Sequence, residues 1–267
     1  GETTSNNFGS SLTSGDFNAD GKTDLAVGAY GYSSSTGRVY IFYNDGSIPI
    51  IAATADVIIT GETTNNYFGQ GLVAGDWNAD GKTDLAVAKE IAPTGGAGRV
   101  YLFYGGSIVT ENASGADILI TGEASSFFGS SLTAGDFNAD GKTDLAVGAY
   151  KYSTSTGRAY LFYSGSIITE NASGADIIIT GEALGNNFGI SLTSGDWNAD
   201  GKIDLAVGAN QHSSGGRAYL FYNGSIITEN ASGADVIITG EASADKFGNF
   251  LTSGDCNADG KTDLAVA

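Results

Sequence analysis

The sequence has few of the residues that build cross-links and cofactor sites: one cysteine, one histidine, two prolines and no methionine. A lone Cys256 excludes an internal disulfide, and a single histidine leaves no zinc site of the Cys/His type. Triads that need histidine are restricted to His212, whose Gln-His-Ser-Ser-Gly-Gly surroundings predict a surface turn rather than a catalytic centre. No apolar run approaches the roughly 18 residues needed to cross a bilayer, so we expect no membrane span in this segment.

Positive charge is also scarce, since 12 Lys and Arg stand against 30 Asp and Glu and give a net charge of −18. Such a chain is a poor binder of phosphate backbones, so we expect cations and no nucleic acid as partners. Glycine accounts for 41 of 267 residues without a Gly-X-Y period, and 41% hydrophobic residues argue against disorder. The chain begins at Gly1 with neither an initiator methionine nor a signal peptide, which indicates a processed or excised polypeptide.

Self-similarity is the dominant feature of the sequence. The dipeptide Gly-Glu recurs about every 60 residues, and no shift in composition marks an internal boundary. We therefore predict a single domain over 1–267, made of four complete repeats and one half repeat. The repeats cover 1–60, 61–121, 122–180, 181–239 and the incomplete 240–267.

Each complete repeat contains four strand-like runs separated by clusters of Gly, Ser, Asn and Asp. In the first repeat these runs are 8–15, 24–29, 38–43 and 56–60, rich in small, β-branched or aromatic residues. No window shows a sustained helical period. The sequence predicts an all-β protein, a β-propeller of four-stranded antiparallel blades. A linear β-solenoid is the competing repeat architecture, although its coils are usually much shorter.

An Asp-rich loop joins the first two strands of every repeat and reads Asp-Phe-Asn-Ala-Asp-Gly-Lys-Thr-Asp over residues 16–24. Side-chain oxygens fall at loop positions 1, 3, 5 and 9, glycine at position 6 permits a sharp bend, and the carbonyl of position 7 can point inward. Calcium takes six to eight oxygen ligands, so the pattern predicts a Ca²⁺-binding β-hairpin loop. It is not an EF-hand, because position 12 is Val27 rather than glutamate.

The loop occurs five times, which predicts about one Ca²⁺ per repeat. The alternative is a set of Asx turns, but turns alone do not require three carboxylates in one loop, where unneutralised charges repel. The 15 loop aspartates are half of the 30 acidic residues, and five Ca²⁺ ions would change the net charge from −18 to −8. The predicted ligands, with each lysine acting through its backbone carbonyl, are Asp16, Asn18, Asp20, Lys22, Asp24, Asp76, Asn78, Asp80, Lys82, Asp84, Asp136, Asn138, Asp140, Lys142, Asp144, Asp196, Asn198, Asp200, Lys202, Asp204, Asp255, Asn257, Asp259, Lys261 and Asp263.

These features resemble the FG-GAP repeat of integrin α-subunit β-propellers over essentially the whole chain. A Phe-Gly pair opens all five repeats, from Phe8-Gly9 to Phe247-Gly248, and the loop is followed in the first repeat by Gly28-Ala29-Tyr30. The second repeat departs with Ala88-Lys89-Glu90, and no repeat carries the proline of the family name. The resemblance implies a usually seven-bladed propeller with Ca²⁺ loops on one face and ligand-binding loops on the other. Four and a half repeats do not complete a whole blade set, so either the polypeptide continues, another chain supplies strands, or the fifth repeat caps an open assembly.

The resemblance also implies a secreted or cell-surface protein that acts in adhesion, recognition or structural display. Its expected partner is a protein or glycan on the propeller face, and millimolar extracellular calcium suits the loops. We expect no enzymatic activity, because near-identical repeats single out no asymmetric catalytic constellation. The alternatives are a carbohydrate-binding lectin, a structural repeat of a surface fibre and an accessory domain of a secreted hydrolase.

An arginine and a tyrosine recur in a Gly-Arg-x-Tyr motif at the start of the third strand. We expect the arginines to form structural ion pairs with a repeat carboxylate such as Glu2 or Asp56, in preference to a ligand-binding ring, and the tyrosines to pack inside the blades. Cys256 replaces the aromatic residue of the other four loops and is expected to be a small packing substitute. The two sets are Arg38, Arg99, Arg158 and Arg217, with Tyr40, Tyr101, Tyr160 and Tyr219.

The sequence also contains N-glycosylation sequons, and its last strand has an unpaired edge. Asn-x-Ser sequons in turn-like segments predict N-glycosylation where the source glycosylates such sites. The fifth repeat ends within its second strand, and an unpaired edge from Leu264 to Val266 predicts pairing with further residues or self-association with a neighbouring copy. The sequons are at Asn112, Asn171, Asn223 and Asn230.

Overall fold

The computed structural model describes residues 1–2, 4–46, 51–89 and 96–267, and Glu90 of the divergent second-repeat motif lies outside these ranges. Short β-favouring runs between Gly- and Asp-rich turns give a chain built almost entirely of strands. The strands are β1 Phe8–Gly15, β2 Asp24–Ala29, β3 Arg38–Phe42, β4 Val57–Thr60, β5 Phe68–Gly75, β6 Asp84–Lys89, β7 Arg99–Phe103, β8 Glu111–Asn112, β9 Ile118–Thr121, β10 Ser131–Gly135, β11 Asp144–Ala149, β12 Arg158–Phe162, β13 Glu170–Asn171, β14 Ile177–Thr180, β15 Phe188–Gly195, β16 Asp204–Ala209, β17 Arg217–Phe221, β18 Glu229–Asn230, β19 Val236–Thr239, β20 Leu251–Gly254 and β21 Asp263–Val266. Two short helical turns, α1 Tyr32–Ser35 and α2 Tyr152–Ser155, and the 3₁₀ turns Ala52–Thr54, Ala113–Gly115, Ala172–Gly174 and Ala231–Gly233 complete the elements. Within the described ranges, no helix has the length and apolar character required to cross a membrane.

Each complete repeat forms one four-stranded antiparallel blade, which confirms the predicted fold class. The strand order is β1-β2-β3-β4 in the first blade, and the half repeat forms the hairpin β20-β21. The third strand ends one residue earlier than predicted, because the amide of Tyr43 donates to the Asp56 carboxylate at 2.8 Å instead of continuing the ladder. The side chain of Asp56 is used in this way, and the fourth strand therefore starts at Val57.

A short strand that the sequence patterns did not predict links neighbouring blades at their outer edge. The two-residue strands β8, β13 and β18 pair in parallel with β4, β9 and β14 of the preceding blade. Just before β8, the hydroxyl of Thr110 accepts a hydrogen bond from the amide of Ile58 at 3.0 Å. We call the segments 107–117, 166–176 and 225–235 the latches. Each latch contains one buried isoleucine and one fully buried alanine, namely Ile108 and Ala113, Ile167 and Ala172, and Ile226 and Ala231.

The first strands of the five repeats lie side by side around a common centre. In order, β1, β5, β10, β15 and β20 contact one another in sequence. All five strands line one central cavity of about 310 Å³. Each of them contributes one leucine to that lining, namely Leu12, Leu72, Leu132, Leu192 and Leu251. This radial arrangement of sheets around a channel is the geometry of a propeller.

The Phe-Gly pair fixes how each blade meets the one before it. Phe68 is fully buried, bridges in parallel to Gly37 of the first blade, and places its ring edge-on to Tyr101 with centroids 5.4 Å apart. A side chain at Gly28 would collide with the carbonyl oxygen of Gly69, so the two backbones approach as closely as glycine alone allows. Phe8 is 38% exposed, and residues 1–267 contain no earlier blade for it to pack against.

The second repeat carries a different pair of residues at the contact made by Ser11 and Gly28 in the first repeat. In the first repeat the hydroxyl of Ser11 donates to the carbonyl of Gly69 at 2.7 Å and occupies the space above Gly28. In the second repeat the methyl group of Ala88 fills that space, and its cross-strand partner is Gly71. A Cβ added at Gly71 would lie 3.2 Å from the Ala88 methyl, so the two substitutions depend on each other.

We predict that Gly71→Ser destabilises the chain by about 1–3 kcal/mol through overpacking against Ala88. The double variant Gly71→Ser/Ala88→Gly restores the pairing of the first and third repeats and recovers most of that loss. Denaturant unfolding of the wild type, both single variants and the double variant measures the coupling. Additive effects of the two substitutions would contradict the compensation.

Candidate functional site

The Asp-rich loops all lie at the same edge of their blades, between the first and second strands. In the first loop the carboxylate of Asp16 accepts hydrogen bonds from the amides of Asp20 at 2.9 Å and Gly21 at 2.8 Å. The amide oxygen of Asn18 also accepts from Asp20, and Asp20 accepts from the amide of Lys22, both at 2.9 Å. The same four bonds recur in the other four loops at 2.8–3.1 Å. The loop sequence thus orients the side chains at positions 1, 3 and 5 through its own backbone.

Two left-handed residues give the loop its tight course. Gly21 at position 6 has φ of +84°, as the predicted sharp bend requires, and Ala19 at position 4 has φ of +60°. Alanine rarely adopts this conformation, so the side-chain-to-amide bonds around it have to hold the turn. Every loop repeats both features, which makes the loop one preformed unit rather than a variable connection.

The aspartate at loop position 9 lies beneath the other ligands, inside the blade. Both oxygens of Asp84 accept backbone amides, from Trp77 at 2.9 Å and from Gly105 at 2.8 Å. Burial raises the pKa of Asp84 and of Asp144 to about 6, and the amide hydrogen bonds oppose that rise. Asp84 therefore ties the loop to Gly105, the second residue after the third strand. Asp263 of the half repeat, which has no third strand, keeps only the bond from Cys256.

The predicted ligands are near neighbours, but they do not converge on one point. Across the described residues, no three acidic, histidine or cysteine side chains form a group positioned to hold a metal ion. The ammonium group of Lys22 lies 3.4 Å from the carboxylate of Asp20, and the lysine side chain remains 53% exposed. The donor set nevertheless suits Ca²⁺, because all its members are oxygens and a carboxylate oxygen that accepts one amide keeps a second lone pair. Ca²⁺ binding by these loops stays a prediction.

The aromatic residue at loop position 2 is covered by the next blade. The amide of Gly106 donates to the carbonyl of Phe17 at 2.8 Å, and the hydroxyl of Ser164 donates to that of Trp77 at 3.0 Å. Phe17 and Trp77 are consequently buried, whereas Trp197, which faces only the half repeat, is half-buried. Cys256, at the same position of the fifth loop, is exposed, and residues 1–267 contain no later repeat that could cover it, so its packing role stays a prediction.

The recurrent arginines form ion pairs with the glutamate of the Gly-Glu dipeptide. Arg38 lies 2.9 Å from Glu2, and the other repeats hold the same contact at 2.6–3.0 Å. The alternative partner Asp56 was wrong, because it accepts the amide of Tyr43. The tyrosines two residues after the arginines are buried as expected, and those of the second, third and fourth repeats donate their hydroxyls to the same glutamates. These pairs are Arg38 with Glu2, Arg99 with Glu62, Arg158 with Glu123, and Arg217 with Glu182.

His212 occupies the predicted turn, but its ring is turned inward. Nε2 lies 3.3 Å from the carboxylate of Glu182, and only 12% of the side chain is exposed. Burial and the charge of Arg217 lower the pKa of His212, and the nearby carboxylate of Glu182 partly offsets this by raising it. The residue therefore belongs to the structural ion-pair cluster of the fourth repeat.

The sequons divide into two kinds. Asn112, Asn171 and Asn230 are exposed, although they end the short latch strands rather than lie in turns. Asn223 is buried, and its side-chain nitrogen donates to the carbonyl of Asp136 at 2.8 Å and of Ile203 at 3.2 Å. The side-chain nitrogen of Asn230 is also engaged, since it donates to the carbonyl of Gly181 at 3.0 Å. Glycosylation at the four sequons stays a prediction.

Sequence reasoning missed the latches as functional segments. Their signal was present, since Gly-Ser-Ile-Ile-Thr-Glu-Asn-Ala-Ser-Gly-Ala-Asp occurs without change in the third and fourth repeats. The segment has no β-like alternation, so its pairing with another repeat follows only from the tertiary arrangement.

Comparisons with known proteins agree with this architecture. A profile described as FG-GAP repeat matches residues 8–42, 68–103 and 128–162, the first three strands of the first three repeats. Phosphatidylinositol-glycan-specific phospholipase D of Homo sapiens is 33% identical over 207 residues, which are 69% of this chain and 24% of that protein. Integrin alpha-PS2 of Drosophila melanogaster is 32% identical over 221 residues, 76% of this chain and 15% of that protein. Integrin alpha-IIb of Mus musculus is 35% identical over 160 residues, 56% of this chain and 15% of that protein.

The chain spans a quarter or less of the length of these relatives. What it shares with them is therefore the repeat region rather than a whole protein. Each of the three matched ranges contains the Phe-Gly pair and the Asp-rich loop of its repeat. The chain belongs to the FG-GAP repeat family of β-propellers.

Proposed function

We propose that the chain is a calcium-stabilised propeller region of an extracellular or cell-surface protein, which acts in adhesion, recognition or structural display. The observation that carries the proposal is the five-fold occurrence of one all-oxygen loop, with identical amide bonds, at one edge of the blades. The similarity to integrin alpha subunits supports a surface location and a role in recognition.

In each loop the carboxylates at positions 1 and 5 and the amide oxygen at position 3 would hold the ion, as Asp16, Asp20 and Asn18 do in the first repeat. The carbonyl of Lys22 and the buried Asp24 complete the proposed donor set. Bound Ca²⁺ supplies positive charge that neutralises the carboxylates and cross-links the loop. The loop's own contribution is to position the oxygens in advance through the backbone bonds to Asp16 and Asn18.

The opposite edge of the blades is the proposed recognition face. There the ring of Tyr30 lies 5.9 Å from that of Tyr67, and Phe127 lies 5.6 Å from Tyr150. The Lys151 ammonium is 5.0 Å from the Tyr150 ring centroid. All four rings are half-exposed, and aromatic residues of this kind are enriched at binding interfaces. The partner would be a protein or a glycan, and a glycan array separates the lectin alternative from protein recognition.

A second candidate is an accessory role beside a hydrolase, and the similarity to a phosphatidylinositol-glycan-specific phospholipase D favours it. In both candidates the region itself is proposed to be non-catalytic, since its polar clusters recur with the repeat and serve ion pairs or turns. Incubation of the purified chain with a phosphatidylinositol-glycan substrate tests this point, and turnover would contradict it.

We predict that Ca²⁺ raises the stability of the chain by mass action. At 1 mM Ca²⁺, sites with Kd of about 0.1–1 mM each contribute about 0.4–1.4 kcal/mol. Thermal unfolding with 1 mM Ca²⁺ and with a chelator measures the difference. Identical melting curves in the two buffers would contradict structural Ca²⁺.

Asp259→Asn separates the two roles of a loop carboxylate in the same assay. Asparagine still accepts the amide of Lys261, so the turn is retained, but the negative charge is lost. The variant should match the wild type in chelator and gain less stability from Ca²⁺. Glu241→Gln removes one negative charge away from the loops and should respond to Ca²⁺ like the wild type.

We also predict that Tb³⁺, used as a luminescent substitute for Ca²⁺, reports on two individual loops. Trp77 and Trp197 occupy position 2 of the second and fourth loops, whereas the other loops carry Phe17, Phe137 and Cys256 there. Excitation of tryptophan should therefore sensitise Tb³⁺ at these two loops, and Trp77→Phe should remove the signal of the second. Excess Ca²⁺ should displace both signals. Sensitised emission that survives in the variant lacking both tryptophans would show that Tb³⁺ binds elsewhere.

A further inference from the structure

The negative charge of the chain is distributed unevenly between the two edges of the blades. The five Asp-rich loops hold 15 aspartates and five lysines, and the segments between the third and fourth strands hold eight acidic residues and no lysine or arginine. These two sets account for the whole net charge of −18. The remaining seven acidic and seven basic residues balance one another. All of them except Glu90, which lies outside the described ranges, are at the edge opposite the Asp-rich loops.

The charges at this opposite edge are also paired by direct contact. Each third-strand arginine lies 2.6–3.0 Å from the glutamate of its own repeat, and the ammonium group of Lys89 lies 3.9 Å from the carboxylate of Glu62. The recognition face is therefore close to neutral in a strongly acidic molecule. Long-range attraction would draw a cationic ligand to the Asp-rich loops and would repel an anionic ligand from the whole chain, so the recognition face suits an uncharged ligand.

Two pairs of half-exposed aromatic rings lie on this neutral face. In the first pair the rings of Tyr30 and Tyr67 are inclined by 49°, and in the second pair those of Phe127 and Tyr150 are inclined by 58°. We call these pairs the first and the second platform. The second and third blades have described blades on both sides, so the exposure of Tyr67, Phe127 and Tyr150 is a property of this face and not of the chain ends.

A strained turn of hydroxyl residues accompanies each platform. Ser33, Ser34 and Ser35 have φ of 46°, 57° and 60°, and residues 153–155 of the third repeat have φ of 45–63°. Consecutive left-handed residues are costly when they carry a Cβ. In the fourth repeat two glycines with positive φ make the corresponding connection, and the carbonyl of the first, Gly215, accepts the amide of Phe247 at 2.9 Å. The connection between blades therefore does not itself require serine.

The turn both positions a ring and presents hydroxyl groups. The carbonyl of Ser35 accepts the amide of Tyr67 at 2.8 Å, which fixes the backbone that carries one ring of the first platform. Ser33 and Ser34 are exposed, and so are their counterparts at 153–154. Backbone strain that is kept where the side chains face solvent indicates a use for those side chains beyond the fold.

We propose that each platform, together with its hydroxyl turn, binds an uncharged carbohydrate. This inference rests on the recognition role proposed above for this edge and names the class of ligand. The apolar C–H face of a sugar ring packs on the aromatic rings, while the serine hydroxyls donate hydrogen bonds to sugar hydroxyls and accept them in return. Antibody binding sites combine Tyr with Ser, Gly and Asn in the same way, as rigid contact area with adaptable hydrogen bonding.

The two platforms differ in one neighbouring residue. The Lys151 ammonium lies 5.0 Å from the centroid of the Tyr150 ring, whereas the residue that follows Tyr30 is Gly31. Lys151 occupies space over one ring of the second platform, so the first platform has more ring surface for a sugar and is expected to bind it more tightly.

The test probes a printed array of neutral, sialylated and sulfated glycans with the full chain in millimolar Ca²⁺. Neutral glycans should bind, and the charged ones should not. Titration of the best neutral oligosaccharide should give an affinity that changes less than about twofold between about 50 mM and about 500 mM NaCl, because no net charge takes part. Binding restricted to charged glycans, or no binding to any neutral glycan, would overturn the proposal.

Substitutions of tyrosine locate the first platform. Tyr67→Ala should weaken the tighter binding roughly tenfold or more, because a central aromatic contact is lost, and Tyr67→Phe should keep most of the affinity. The matched control Tyr104→Ala, at a half-exposed tyrosine beside the Asp-rich loops, should bind like the wild type. Equal losses in Tyr67→Ala and Tyr104→Ala would contradict the assigned site.

Ser34→Gly separates binding from folding. Glycine adopts the left-handed conformation freely and keeps the carbonyl that accepts the amide of Asn65, so the melting temperature should be largely unchanged. The affinity should fall about three- to tenfold, the size of one lost hydrogen bond. Unchanged affinity would show that the turn is purely structural. A protein ligand that depends on Tyr67, in a chain that binds no neutral glycan, would overturn the carbohydrate assignment and leave the recognition role of this edge standing.

Discussion

The close approach of backbones between consecutive blades is the constraint on which the structure depends. Gly28 of one blade faces the carbonyl of Gly69 in the next, and there is no room for a side chain between them. Phe68, the residue before Gly69, is fully buried. Because backbone meets backbone, the distance between blades is fixed to within the size of a methyl group. The second repeat keeps this distance because it has glycine at position 71 and a methyl group at Ala88, on the paired strand.

A second consequence is that each repeat buries surfaces of the repeat before it. The latch of one repeat covers the outer strand of the preceding blade, and the loop after the third strand covers the preceding aromatic ring. The terminal repeats show the reverse of this rule, since Phe8, Trp197 and Ile238 are exposed or half-exposed where their counterparts are buried. Stability in such an array is approximately the sum of repeat terms and nearest-neighbour terms.

The features that depend on residues close in sequence were predictable. The blade strands, the left-handed glycine of the loop and the packing of Tyr40 follow from local pattern and repetition. The features that the sequence did not predict depend on the neighbouring repeat: the latches pair with the preceding blade, and Asn223 is buried against the carbonyl of Asp136 in the preceding repeat. A pattern within one repeat carries no information about which face another repeat will cover.

The loops illustrate the same division at the candidate site. Their oxygen spacing and the bend at Gly21 are local properties, and the structure has both. The inward position of Asp84 depends on its bond to Gly105, 21 residues away and just beyond the third strand, so the loop sequence alone could not predict it. The loop is thus both a proposed ion site and a brace within the blade.

Native-state hydrogen exchange tests the central claim, that each blade is held by the repeat after it. The account predicts that amides of β4, β9 and β14, which carry latches, exchange together and slowly, while those of β19 exchange much faster despite a nearly identical sequence. Uniform protection of all four strands would contradict it, because local sequence rather than the neighbouring repeat would then set the stability of each blade.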